Sequence, residues 1–314
     1  MDPNLLYWKS HGQSFYSRLK IWVNLLDPIS LLSSDAEIQK ARTLLESGET
    51  QNEKDDHAQN LSLSSVHADS GAVLPLVFRP PAFMPISVPL VVGSFLPHVT
   101  VSPAVFWQLL LQSYSAGFNY ANRNSSSEQG RKTSLVQLLS MAGTVSFATC
   151  AGALPQIFIS RLGIKSAPIQ NILRTILPLP LSAALAFFNV YTVRSEEYVN
   201  GIQVFDSNGN PVGFSKTAGE KAVMETALSR AALFGATAVV PNLLVLLFQR
   251  SRALQRYSWL VAPLRQMSTV FVMGLMIPVS FSLYPQLGTI KRKNIEKELS
   301  AGAPAGQLYY HRGL

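Results

Sequence analysis

The residues with chemistry to offer are six neutral amides, Gln108, Gln112, Asn119, Asn122, Asn189 and Gln286, each inside a stretch that contains no Asp, Glu, Lys or Arg. An amide among apolar neighbours donates and accepts hydrogen bonds without carrying charge. Grouped at membrane depth, such side chains either join helices or line a path for a small polar or zwitterionic solute. Prolines near the same stretches add broken helix ends, whose free backbone groups can hold both ends of such a solute. Catalysis has no comparable support. The chain has no Gly-x-Ser-x-Gly elbow, Walker loop, Gly-x-Gly-x-x-Gly or His-Glu-x-x-His. His11, His57, His67, His98 and His311 stand singly, and Cys150 is the one cysteine, so no disulfide, haem or iron–sulfur site is indicated within the chain. The run Asp206-Ser207-Asn208-Gly209-Asn210 fails as a calcium loop, because Pro211 stands where glycine is needed and Thr217 where a bidentate Glu is needed. The expectation is a non-enzyme with no metal and no cofactor.

The elements that would position these amides are set by charge placement. Only 14% of residues are charged, against roughly 25% in a soluble domain. Charge is missing altogether from Pro80–Asn122, Thr133–Ser160, Thr175–Val193, Ala231–Gln249 and Gln266–Ile290. A helix needs about 20 apolar residues to cross a bilayer, so the pattern predicts an all-α membrane protein with about five spans, near 101–120, 134–160, 172–193, 231–249 and 267–290. Pro80, Pro81, Pro85, Pro89 and Pro97 make 80–98 a proline-broken extra segment, re-entrant or spanning. Residues 1–74 read as a soluble N-terminal region, 75–290 as the transmembrane domain and 291–314 as a tail.

Smaller signals fill in the rest. Leu19, Trp22, Val23 and Leu26 predict a short amphipathic helix. Ser34 with Glu37 predicts a capped helix to about Leu45, followed by a polar, mobile stretch from Gln51 to Ser65. Within the loop 194–230, Ile202 and Val204 against Val212 and Phe214, around Asn208-Gly209, predict a β-hairpin, then a helix from about Lys216 to Arg230. Basic residues beside the spans, Arg250, Arg252, Arg256 and Lys291, Arg292, Lys293, favour anionic lipids. No basic, aromatic-interleaved face supports nucleic-acid binding.

Several short motifs, in order, carry a resemblance. They are Gln13-Ser14-Phe15, Asp27-Pro28, Ala41-Arg42, His67-Ala68-Asp69-Ser70-Gly71, Phe106-Trp107-Gln108, the run from Asn119 to Asn124, the Gly201–Gly213 hairpin, Ser229-Arg230 and Tyr284-Pro285-Gln286. Together they resemble the sideroflexin family from about residue 13 to the C-terminus. The resemblance implies a multi-pass protein of the mitochondrial inner membrane that moves serine and related small neutral amino acids. It also implies links to iron–sulfur and iron homeostasis. It sets Asn119, Asn122, Asn189 and Gln286 along a path, with His67, Asp69 and Ser70 at its mouth as a gate. One departure stands out: the family's His-Pro-Asp-Thr is here His67-Ala68-Asp69-Ser70. Loss of the proline frees the backbone, which fits weak or altered transport. For one branch of the family the resemblance implies a different role, a membrane-anchored factor that assembles respiratory complex I through protein partners.

Overall fold

The computed structural model describes residues 3–47, 53–124, 135–166, 169–170, 172–248, 257–296, 299 and 307–314. Four helices open the chain: α1 (Pro3–His11), α2 (Phe15–Leu25), α3 (Asp35–Ser47) and α4 (Glu53–Ser65). Ser14 and Ser17 cap α2 reciprocally, and α2 buries Arg18, Ile21, Trp22 and Leu25. The buried stripe is thus turned from the expected one, with Val23 exposed. α3 starts as its sequence predicts. The Ser34 N–H donates to Glu37 Oε2 at 2.8 Å, and the Glu37 N–H donates back to Ser34 Oγ. The polar stretch after α3, expected to be mobile, instead holds α4. Its Ala58 and Leu61 pack on Ile38 and Ala41, so a thin apolar stripe in a polar sequence is enough to seat it.

Six longer helices follow. They are α5 (Pro80–Phe95), α6 (Val101–Ala121), α7 (Leu135–Arg161), α8 (Pro178–Val193), α10 (Lys216–Phe248) and α11 (Val261–Ser282), with the short α9 (Ser195–Asn200) between α8 and the sheet. Among the described residues, α7, α10 and α11 are long and apolar enough to cross a membrane. Their outer faces expose Leu138, Leu139, Phe147, Leu246, Leu247, Phe271 and Leu275, as lipid contact requires. Three of the five expected spans therefore meet that standard. α6 has 21 residues, but its own amides and serines dilute its hydropathy. α8 has only 16, because Pro178 restarts the helix after a π-turn at Ile172–Ile176.

Three boundaries differ from the sequence reading. The segment read as broken or re-entrant is one continuous helix, α5, with Pro80 and Pro81 in its first turn and Pro85 and Pro89 inside it. Within the turns that carry these prolines, the hydroxyls of Ser87 and Tyr114 donate to the Phe83 and Ala82 carbonyls. The helix after the hairpin and the fourth span are a single 33-residue helix, α10, that runs on through Pro241. The fifth span stops at Ser282; Leu287–Lys291 beyond Pro285 form a strand.

The helices alternate in direction. Asn122 at the end of α6 donates to Phe78 O just before α5. Thr144 near the start of α7 meets Thr192 near the end of α8, while Gln156 near the end of α7 donates to Val99 O in the α5–α6 connection. Arg18 Nε donates to Ser282 O at the end of α11. One end of the bundle therefore gathers the N-terminal helices and the sheet.

That sheet is larger than the predicted hairpin. β1 (Ile202–Phe205) and β2 (Pro211–Ser215) are joined by β3 (Leu287–Lys291) and β4 (Gln307–His311), in the order β2-β1-β4-β3. Asp206 Oδ1 accepts the N–H groups of Asn208 and Asn210 at 2.8 Å each, which closes the turn. Ile202, Val204, Ile290, Leu308 and Tyr310 pack on Ala218 and Ala222 of α10. The segment read as a tail thus contributes an inner strand.

Candidate functional site

Gln108, Gln112 and Asn119 of α6 and Asn189 of α8 together line a cavity of about 430 Å³. Asn119 Nδ2 donates to Asn189 Oδ1 at 3.0 Å. Asn189 Nδ2 lies 3.3 Å from Gln112 O and 3.4 Å from Gln112 Oε1, and Gln112 Nε2 reaches Gln108 Oε1 at 3.5 Å. The four amides thus form a chain of soft contacts that a bound solute can replace. Gly152 on α7 makes room for it: a Cβ there would stand 2.4 Å from Gln108 Oε1. The cavity runs from Asn119, Asn189 and Arg230 to Leu96, His98 and Gln170 at the end away from the sheet, and no Asp or Glu is among its described lining. Its volume suits a small ligand.

Asn122 and Gln286 are elsewhere. Asn122 Nδ2 donates to Phe78 O and Phe118 O, tying the end of α6 to the chain before α5. Gln286 Oε1 accepts from Arg312 Nη2 at 2.8 Å. Both line a much smaller cavity, of about 40 Å³, at the sheet end, together with His67, His311 and Trp22. Between the two cavities Phe83 lies 4.6 Å from Phe118 and 5.5 Å from Phe281, ring centre to ring centre, and Trp22 backs Phe281 at 5.0 Å. The expected path residues are thus divided four and two by an aromatic layer.

His67, Asp69 and Ser70 are also at the sheet end, and neither Asp69 nor Ser70 lines either of these two cavities. His67 Nδ1 accepts the N–H groups of Asp69 and Ser70 at 3.3 Å each, so Nε2 carries the proton and donates to Arg123 O at 2.6 Å. The imidazole closes this turn with alanine at position 68.

A polar knot holds that end together. Arg194 grips Glu197 through Nε–Oε1 at 2.5 Å and Nη2–Oε2 at 2.8 Å, and both side chains are fully buried. The same guanidinium donates to Thr226 Oγ1 and to the carbonyls of Arg312 and Leu314. Gly313 passes it with φ +73°, where a Cβ would lie 2.7 Å from Arg194 Nη2, so glycine alone fits. His311 is buried beside Asn124, His67, Arg312 and Arg194. Burial, seconded by the His67, Arg312 and Arg194 charges, pushes its imidazole down to about 3; His67 is also lowered, chiefly by burial.

Acid should therefore loosen this end. A histidine whose folded value is depressed gives stability that is complete above the unfolded value, near 6.5, and lost as pH falls below it. For His311 the slope is about 1.4 kcal/mol per pH unit. The melting temperature of the detergent-purified protein should drop between pH 7.5 and 5.5, and His311→Gln should flatten that drop. An unchanged slope in the variant would remove His311 from the account.

Sequence reasoning overlooked Arg230 and Arg265, which also line the large cavity. Arg230 enters the sequence reading only in the Ser229-Arg230 motif and as the end of the helix from Lys216; continuity of α10 puts it in the middle of that helix. Among the described residues, no three His, Cys, Asp or Glu side chains group to hold a metal.

The sideroflexin family model matches residues 5–314. The chain belongs to the sideroflexin family. It is 54% identical to sideroflexin-4 of Danio rerio, with 100% of both chains covered. It is 37% identical to sideroflexin-4 of Mus musculus, again over 100% of each. With sideroflexin-5 of Homo sapiens it shares 30% identity over 96% of this chain and 90% of that one. No solved structure matches.

Proposed function

We propose that this protein is a carrier of the mitochondrial inner membrane for small neutral amino acids of the serine class. The observation that carries the reading is the convergence of Gln108, Gln112, Asn119 and Asn189 on one cavity between apolar helices. A zwitterion needs both donors and acceptors in a site without a fixed negative charge, and amides supply both. The Phe83–Phe118–Phe281 layer closes the cavity toward the sheet, and the far end is its side of entry in this reading. Alternating access then consists of parting that layer while the far end closes. Anionic lipids meet the basic groups of the connections, including Arg250, Arg252 and Arg256, which lie outside the described residues.

The test is uptake. Purified protein in liposomes should take up labelled serine, alanine or glycine saturably, above empty vesicles. Absence of uptake for all three overturns the reading. The Ala68 and Ser70 departure from the family motif favours a second one, a non-transporting factor for complex I assembly. Native gels of mitochondria lacking the protein decide it: normal complex I removes this alternative.

A further inference from the structure

We propose that Arg230 is the anchor for the carboxylate of the solute in the large cavity. The inference deepens the carrier reading and takes its solute class from it. Arg230 is only 3% exposed, in the middle of α10. Its guanidinium lies 4.2 Å above the Phe281 ring, with Phe83 at 5.7 Å. Rings satisfy the face of a guanidinium and leave its N–H edge wanting acceptors. Along that edge one contact is made, from Nη1 to Ser280 Oγ at a long 3.4 Å. Nε and Nη2 have no hydrogen-bond partner, and no ion pair to Arg230 exists among the described residues. The charges it feels are those of Arg312 and Arg194, which are like its own.

The two arginines whose charges reach it are better supplied with acceptors. Arg194 has Glu197, and Arg312 has Gln286 Oε1 and the Phe281 carbonyl. Arg230 instead borders the cavity that holds Asn119, Asn189 and Gln112, beside a lining with no carboxylate of its own. A buried, unpaired guanidinium is costly to keep and becomes favourable when a carboxylate meets its fork edge-on with two parallel hydrogen bonds. The amide oxygens of the α6–α8 cluster would then accept from an ammonium or hydroxyl group at the other end of the molecule. A site built this way rejects cations and molecules whose carboxylate is masked.

The experiment uses the full chain in detergent and in liposomes. L-serine should raise the melting temperature, while serinamide, which lacks the carboxylate, should not. Arg230→Met should melt at or above the wild-type temperature without ligand, since an unpaired charge has gone. It should show no serine shift, and uptake should fall by about tenfold or more. Arg230→Lys, which keeps the charge without the fork, should fall between. The proposal is overturned if Arg230→Met keeps its serine shift or uptake, if it melts far below wild type, or if serinamide or inorganic phosphate shifts the wild type as serine does. Undiminished serine uptake in Arg230→Met would sink the anchor and leave the carrier standing. A wild type that ignores serine but is stabilised by lactate through Arg230 would keep the anchor and sink the serine-class reading.

Discussion

Replacing Arg194 with methionine is expected to unfasten the sheet end of the molecule. The substitution leaves Glu197 buried at 0% exposure with, among the described residues, Asn124 as its remaining side-chain hydrogen-bond partner. It also strips acceptor contacts from Thr226 and from the carbonyls of Arg312 and Leu314. Removing one member of a buried ion pair costs about 3–5 kcal/mol. The purified variant should lose much of its thermal stability and accumulate poorly. Adding Glu197→Leu should restore part of the loss, because it removes the stranded charge. A single variant as stable as wild type would show that water reaches this pair and that the knot holds little.

Asn189→Leu is expected to silence uptake while leaving the fold in place. Asn189 is the hub of the amide chain: its oxygen accepts from Asn119 and its nitrogen faces both oxygens of Gln112. Inter-helix hydrogen bonds in membranes average about 0.6 kcal/mol, so the stability loss should be near 1–2 kcal/mol even with the stranded partners counted. Leucine also fills part of the cavity and removes the one α8 group that completes the donor–acceptor alternation. Uptake in liposomes should fall by about ten- to a hundredfold, at some 1.4 kcal/mol per decade. Wild-type uptake by a well-folded Asn189→Leu protein would mean these amides only join helices.

Much of this was legible in the sequence, and the failures have physical reasons. Charge-free runs located the long helices because lipid forbids unpaired charge. Ser34 with Glu37, and Asn208-Gly209, announced a cap and a turn because both are local chemistry. Polarity at depth singled out six amides, and four of them, Gln108, Gln112, Asn119 and Asn189, line one cavity. Asn122 and Gln286 were misplaced because the same polarity also marks helix ends, and composition does not separate a lining amide from a capping one. β4 escaped notice because its partners, β1 and β3, are far away in sequence. Arg230 escaped because a run counted from the last charge starts one residue too late to include it. The continuity of α5 escaped because proline is judged by local cost, whereas α5 is held by packing against α6 and α11, which are distant in sequence or not yet placed when the local cost is counted.

The alternation of helix direction has a consequence for biogenesis. The N-terminal helices and the sheet lie at one end of the bundle, so everything that forms sheet or soluble helix can stay on the side from which the helices insert. Strand β1, made early, has no partner on its inner edge until α11 has inserted and β4 arrives. A half-inserted chain therefore displays a raw strand edge, open to chaperone capture, and its disappearance would mark completed insertion.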